Sequence, residues 1–177
     1  PDFSTSKPFT MSLKKGWNQI GNPFPFDINW TDVLTANGSP QTVSNLQIFN
    51  SSTLSFEDSD LLKKFNGGFV YLNADLTITF PVSLTRKGGR TRQTNAFEAG
   101  AGEWHLPISL QQGNSKSGQA GIGMHHAAQE GWDRFDRMSP PAIFQVTGMV
   151  TRSGDLELNQ NVVPPATNYT WNFTAKS

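Results

Sequence analysis

The sequence predicts an all-β protein: an antiparallel β-sandwich of the jelly-roll or immunoglobulin-like kind, with at most one or two short helices. Apolar side chains recur at every second position in about nine to eleven short segments, which is the period of strands that bury one face. Turn-forming residues separate these segments at intervals of roughly 8–15 residues, as in two-sheet folds. Helical periodicity is almost absent, which disfavours helical and α/β architectures.

The first half of the chain contributes five such segments. "FTMSLKK" places Phe9, Met11 and Leu13 on one face, and a turn at Lys15-Gly16 leads into "WNQIG". The same alternation follows in "VSNLQIFN", "GGFVYLN" and "LTITFPVSL". Each segment therefore has an apolar face to bury against another layer.

Two short helices are predicted, at Trp30 to Ala36 after Asn29 and at Ser59 to Phe65. Pro81 and Pro107 stand inside strand patterns. Because proline cannot donate a ladder hydrogen bond, these two strands are expected at sheet edges or at bulges.

The second half of the chain adds "EWHLPISLQ", "AIFQVTGMVT", "DLELNQNVV" and "NYTWNFTA". In the last segment Tyr169, Trp171 and Phe173 are expected to face the same side. Ser153-Gly154-Asp155 lies between two of the strands and predicts a hairpin turn.

Residues 1–7 are interpreted as a linker, and residues 8–177 are predicted to form a single β-sandwich domain. The stretch "TRKGGRTRQTN", Thr85 to Asn95, has no apolar residue and is interpreted as an exposed loop of that domain. The alternative is two small β lobes divided near residues 85–95. Because the chain starts at Pro1 and not at methionine, we expect it to be a segment of a longer protein.

The composition excludes several classes of function. Lys and Arg number 14, as do Asp and Glu, so the zero net charge disfavours nucleic acid as a partner. Without cysteine there is no disulfide, thiolate metal site or cysteine nucleophile. No apolar run is long enough for a membrane span.

The stretch "GWNQIGNPFPFDINW" raises the choice between a ligand-binding aromatic platform and structural anchoring. Asn22-Pro23 and Phe24-Pro25 favour an extended or turning backbone. Anchoring of Trp17, Phe24 and Phe26 in the core is the favoured interpretation. Trp30 follows a polar residue and is predicted to be a candidate for exposure.

Several phrases of the sequence resemble a β-rich module found near the C-terminus of large secreted bacterial proteins that carry type IX secretion sorting tails. The stretch "KKGWNQIGNPFPFDINW" is similar to the phrase "GWNLIGNPYPSAIDW" of that family, and "LLKKFNGGFVYLN" and "EWHLPISL" continue the likeness. The family's later phrase "A..G.D..D...PP" is matched at Ala127 or Ala128, Gly131, Asp133, Asp136, Pro140 and Pro141. The basic stretch of residues 85–92 and the pair His125-His126 depart from the pattern.

The resemblance covers roughly residues 14–142. It implies an extracellular module, secreted or on the cell surface, whose partners are neighbouring domains of the same polypeptide. It implies no enzymatic activity.

The segment "HHAAQEGWDRFDR" contains the densest group of chemically active side chains. Its histidines lack the spacing of a zinc-protease helix, and its acidic residues lack the pattern of a calcium loop. Asp133 and Asp136 are candidates for a structural Ca²⁺ site together with backbone carbonyls; no other cofactor is expected. The favoured alternative is that both aspartates accept backbone N–H hydrogen bonds in a turn.

Three hypotheses for function follow. The first is a non-catalytic accessory module, structural or adhesive. The second is a carbohydrate-binding module that stacks a polysaccharide on exposed aromatic rings, with Trp30, Trp104 and Trp132 as candidates. A hydrolase that uses Glu130 or Asp133 with His125 or His126 is a remote alternative. An enzyme is not expected, because the chain has no nucleophile elbow and no phosphate-binding glycine loop.

Overall fold

The computed structural model describes residues 7–40, 42–82, 100–113, 115–140 and 148–176. Fourteen strands and one short helix occupy these ranges, so the predicted all-β class is confirmed. The backbone contacts divide the chain into two compact units, Pro1–Ile48 with Asp58–Gln93, and Phe49–Glu57 with Thr94–Ser177. The single domain and its two-lobe alternative both stay predictions.

The elements are short, as the spacing of the turn residues predicts. In chain order they are β1 (Phe9–Leu13), β2 (Gly16–Gly21), β3 (Ile28–Asn29), α1 (Trp30–Ala36), β4 (Gln47–Asn50), β5 (Ser55–Asp58), β6 (Leu61–Leu62), β7 (Gly67–Leu72), β8 (Leu76–Phe80), β9 (Trp104–Gln112), β10 (Ser115–Met124), β11 (Arg137–Met138), β12 (Gly148–Ser153), β13 (Leu156–Val163) and β14 (Phe173–Lys176).

Antiparallel pairing joins the strands before residue 83. β1 pairs with β8, from Phe9 opposite Phe80 to Leu13 opposite Leu76. β2, β7, β4 and β5 follow one another in a four-stranded sheet, and β3 pairs with β6. β8 ends directly before Pro81 and belongs to a two-stranded sheet, so it lies at a sheet edge, as this proline predicts.

The first unit has one hydrophobic core, to which both strands of the β1–β8, β2–β7 and β3–β6 pairs contribute. Apolar residues from β1 and β8 meet those from β2 and β7, and α1 adds two more. The fully buried members are Ile20, Phe24, Val33, Leu46, Leu62, Val70, Leu72, Ile78 and Phe80. Burial of apolar area from several elements at once is what stabilises strands this short.

The stretch that follows β2 is held by the side chain of Asn22. Its Oδ1 accepts from the Phe24 N–H at 2.9 Å, and its Nδ2 donates to the carbonyl oxygens of Phe26 at 2.8 Å and Leu62 at 3.0 Å. The rings of Phe24 and Phe26 stack with their centroids 5.0 Å apart. The anchoring interpretation of this stretch is therefore confirmed for Phe24, which is buried.

The first predicted helix is present with the predicted bounds. Asn29 is its N-cap, and Oδ1 of Asn29 accepts from the Thr31 N–H at 2.9 Å. The second predicted helix, Ser59 to Phe65, is wrong. Leu61–Leu62 forms β6 there, because pairing with β3 and burial of Leu62 outweigh a weak helical pattern.

The second unit is built on a sheet of order β14-β12-β13-β10-β9, with β11 also paired to β13. β12 and β13 form the predicted hairpin, in which Ser153 lies opposite Leu156 and Gly154 has a φ of 58°. β9 is at the edge of the sheet, which accommodates Pro107 as predicted.

One pairing departs from the predicted antiparallel pattern. β10 and β13 are parallel, from Gly121 opposite Gln160 to Met124 opposite Val163. A parallel pair needs a long connection. The chain between β10 and β13 contains the 125–136 loop, β11 and β12, so this connection is available.

Within the described residues, no helix has the length and apolar character needed to cross a membrane. The basic stretch predicted as an exposed loop, Thr85 to Asn95, lies outside these residues.

Candidate functional site

The five tryptophans occupy different environments. Trp30, a predicted ligand-binding residue, is only 3% exposed and packs in the core of the first unit, with its ring centroid 6.4 Å from that of Phe80. A buried indole has no face for a sugar to stack on, so Trp30 is removed from the candidate site. Helix α1 causes this, because it places Trp30 on the same side as the buried Val33. Trp132 is half-buried in the 125–136 loop.

Trp104 is exposed, as predicted, and it belongs to a group of aromatic rings. Its ring meets that of Trp171 edge to face, with centroids 5.6 Å apart and planes at 74°. The ring of Tyr169 lies 4.6 Å from that of Trp171, tilted by 52°. We call Trp104, Tyr169 and Trp171 the aromatic surface.

The path of the sheet brings these three rings together. Trp104 begins β9 at one edge, and Trp171 lies two residues before β14 at the opposite edge. β9 also approaches β12, which is not its neighbour in the sheet. The sheet therefore curls, as twisted sheets do, so that Trp104 of β9 and Trp171 before β14 come into contact.

The aromatic surface is open to solvent. Trp104 is 37% exposed and Tyr169 is 44% exposed, while Trp171 is half-buried between them. Leu106, two residues along β9 on the same face as Trp104, is 53% exposed. Single exposed apolar residues are ordinary, but a group of this kind is typical of a binding surface.

Charged side chains are missing from both segments that form the aromatic surface. Residues 104–115 and 158–175 contain no Asp, Glu, Lys or Arg. The surroundings are instead amides and hydroxyls, including the exposed side chains of Asn168, Thr170 and Asn172.

The 125–136 loop, with the densest group of acidic and histidine side chains, has a structural role. Both oxygens of Asp133 accept backbone N–H bonds, from Gln129 at 2.7 Å and Phe135 at 2.7 Å. Both oxygens of Asp136 do the same, from Val162 at 2.8 Å and Asp133 at 3.0 Å. These bonds close the loop and attach it to β13.

The two aspartates thus have the capping role, which is the favoured alternative from the sequence. Each of their oxygens accepts one N–H bond and keeps a second lone pair. In the described parts of the chain, no three His, Asp or Glu side chains gather where a metal ion could be held. The Ca²⁺ site expected at Asp133 and Asp136 together with backbone carbonyls stays a prediction.

Burial gives Asp136 an unusual proton affinity. Desolvation raises its pKa to about 7, against the opposing effect of the two N–H bonds from Val162 and Asp133. The negative charge of Asp133 adds to the rise. The carboxyl group of Asp136 therefore changes its protonation state near neutral pH.

Glu103 and His125 connect the start of β9 to the loop. Oε1 of Glu103 accepts from the His126 N–H at 2.9 Å and lies 3.6 Å from Nε2 of His125. Hydrogen bonds from the backbone of His126 and Gly100 hold the pKa of Glu103 below its usual value. Nδ1 of His125 accepts from the Ala127 N–H at 3.0 Å, and its ring stacks on Phe135 at 4.1 Å.

These contacts bear on the hydrolase alternative. Asp133 and His125 are engaged by backbone N–H groups of their own loop, and His125 also packs against an aromatic ring. Glu130 and His126 lie exposed on the loop, and the hydrolase alternative stays a prediction.

The structure adds two aromatic residues to the predicted site. The sequence placed Tyr169 and Trp171 on one face of a strand, and that alternation was the available signal. Their contact with Trp104 depends on the curl of a sheet whose strands are more than 50 residues apart in the chain, which no local pattern encodes.

No protein-family model, curated protein or solved structure gives a significant match to this chain.

Proposed function

We propose that the chain is a non-catalytic accessory module, structural or adhesive, of a larger secreted or cell-surface bacterial protein. The observation that carries the proposal is the use of Asp133 and Asp136, whose four carboxylate oxygens all accept backbone N–H groups. The segment with the most chemically active side chains is thus part of the scaffold. The sequence resemblance supports the extracellular setting and the partnership with neighbouring domains.

The accessory role is tested in the parent protein. Deletion of this chain is expected to lower the melting temperature of the adjoining domain while leaving the activity of that domain intact, because a bound neighbour stabilises the folded state. The alanine variant His125→Ala tests for catalysis in parallel. Turnover of any ester, peptide or glycoside that this variant abolishes would contradict the proposal.

The extracellular setting has its own test. An antibody against this chain, applied to fractions of the source bacterium, is expected to detect the parent protein in the medium or on intact cells. Detection in the cytosolic fraction alone would contradict secretion.

Carbohydrate binding is the second candidate function. The aromatic surface favours it, because sugar rings present C–H groups that pack on exposed aromatic faces. Titration of a panel of soluble polysaccharides, followed by tryptophan fluorescence, is the direct test. Trp104 is exposed and is expected to report the binding, and a panel without any response would eliminate this function.

A further inference from the structure

We infer that the aromatic surface formed by Trp104, Tyr169 and Trp171 binds an uncharged, soluble polysaccharide chain. This inference rests on the second candidate function, carbohydrate binding, and names the site and the class of ligand. Two of the three residues come from a segment in which the sequence alone indicated only a strand.

The geometry of the rings selects the form of the ligand. Coplanar rings would make a flat platform suited to the face of an insoluble, crystalline polysaccharide. Here the planes of Trp104 and Trp171 are at 74° and those of Tyr169 and Trp171 at 52°. Faces that turn from one ring to the next fit successive sugars of a single flexible chain, which can rotate at each linkage.

The charge of the surroundings selects the chemistry of the ligand. The segments 104–115 and 158–175 contain no Lys or Arg to attract an acidic polysaccharide and no Asp or Glu to attract a basic one. An anionic ligand would lose hydration at this surface, and neither segment offers it an opposite charge in return. A neutral polysaccharide loses less hydration free energy when it binds.

Polar side chains are neighbours of two of the rings in the sequence. Asn168, Thr170 and Asn172 are exposed and alternate along the chain with Tyr169 and Trp171. Amides and hydroxyls both donate and accept, which suits sugar hydroxyl groups. Apolar stacking with a few neutral hydrogen-bonding groups is the usual composition of a small-molecule site.

The test measures affinity for two groups of soluble polysaccharides. The neutral group contains a β-glucan, a xylan and a galactomannan, and the anionic group contains polygalacturonate and heparin. We expect at least one neutral member to bind, and its affinity to change little between about 0.05 and 0.5 M NaCl because no ion pairs are involved. Affinity electrophoresis and tryptophan fluorescence give independent readouts.

Variants identify the surface. Trp104→Ala and Tyr169→Ala are each expected to weaken binding about tenfold, as the loss of one stacked ring predicts. Phe65→Asn is the matched control, since Phe65 is an aromatic residue of the first unit that is 72% exposed. Asparagine suits its φ of 58°. The melting temperature of each variant shows whether it is folded.

Each outcome has a defined meaning. Neutral binding that Trp104→Ala and Tyr169→Ala weaken and Phe65→Asn does not would support the inference. Binding to anionic members alone would overturn it and leave carbohydrate binding standing, and binding that both surface variants retain would overturn the site. If no polysaccharide of either group binds, carbohydrate binding itself is rejected as a function of this chain. A dimer in sedimentation that Trp104→Ala dissociates would assign the surface to a second copy of the chain and also overturn the inference.

Discussion

Nδ2 of Asn22 donates a hydrogen bond to the carbonyl oxygen of Leu62 across 3.0 Å, joining the turn after β2 to β6. The side-chain amide of Asn22 also forms hydrogen bonds with the backbone of Phe24 and Phe26. One buried side chain therefore satisfies three backbone groups, namely the N–H of Phe24 and the carbonyl oxygens of Phe26 and Leu62. These hydrogen bonds explain why a stretch rich in asparagine, proline and phenylalanine has a structural role.

Replacement of this amide is expected to destabilise the protein strongly. Asn22→Ala removes the side-chain partner of two carbonyl oxygens and one N–H at a buried position, and we expect a loss of about 3 kcal/mol in the free energy of unfolding. Urea denaturation measures the loss. Asn73→Ala, at an exposed position, is the control and should change stability by less than about 0.5 kcal/mol. Equal effects of the two substitutions would contradict the role given to Asn22.

Gly123 is expected to tolerate no side chain. A Cβ at this position would lie 2.6 Å from the carbonyl oxygen of Trp104, in the backbone of the adjacent strand. Gly123→Ala should therefore separate β10 from β9 and cost about 2 kcal/mol or more. Gly148→Ala is the matched strand control, because its added Cβ meets nothing within 4 Å. A melting temperature unchanged in Gly123→Ala would show that the two strands are not packed this closely.

Asp136 is expected to make stability depend on pH in a particular direction. Burial raises its pKa to about 7 in the folded protein, whereas in the unfolded chain it is about 3.9. Between these values the folded form holds a proton that the unfolded form has released. The contribution of Asp136 to the free energy of unfolding is therefore greatest below about pH 4 and declines up to about pH 7, by at most about 4 kcal/mol.

The variant Asp136→Asn isolates this contribution. The amide nitrogen of the variant is a donor and cannot accept a hydrogen bond, so one of the two N–H groups loses its partner. The variant should therefore be less stable than the wild type at about pH 5, by about 1–3 kcal/mol. The difference should shrink as the pH rises to about 8, where the wild type bears a buried charge. Urea denaturation across this range measures it, with Asp155→Asn, in the exposed turn, as the control. A difference that does not vary with pH would contradict the assignment.

Trp30 and Trp104 are expected to differ in what their removal costs. Trp30→Ala empties a core position and should lower the free energy of unfolding by about 3–5 kcal/mol. Trp104→Ala removes an exposed ring and should cost less than about 1.5 kcal/mol. Chemical denaturation of both variants compares them directly. A larger loss of stability in Trp104→Ala than in Trp30→Ala would contradict the burial of Trp30 and the exposure of Trp104.

Local signals predicted the elements whose causes are local. The helix at Trp30 to Ala36 follows from Asn29, whose side chain caps it without help from elsewhere. The hairpin at Ser153 to Asp155 follows from a glycine that adopts a positive φ at little cost. β1 follows from the alternation of Phe9, Met11 and Leu13.

Other elements depend on partners far along the chain. β10 reads "SKSGQAGIGM", which has few residues of high β-propensity. It is a strand because Gly121 and Gly123 let the backbone of β9 and the ring of His105 come close. Leu61–Leu62 is extended, and not helical, because β3 offers it an edge to pair with.

Alternation and composition are properties of neighbouring residues, and they were sufficient to predict the class of fold and the lack of charged residues in the two segments of the aromatic surface. The packing of separate elements was needed to establish that Trp30 is buried, that Asp133 and Asp136 cap a loop, and that Trp104 contacts Trp171. Each of these outcomes depends on contacts between residues that are distant in the chain or on how a loop closes. The burial of a side chain and the partner of a carboxylate are set when separate elements pack together.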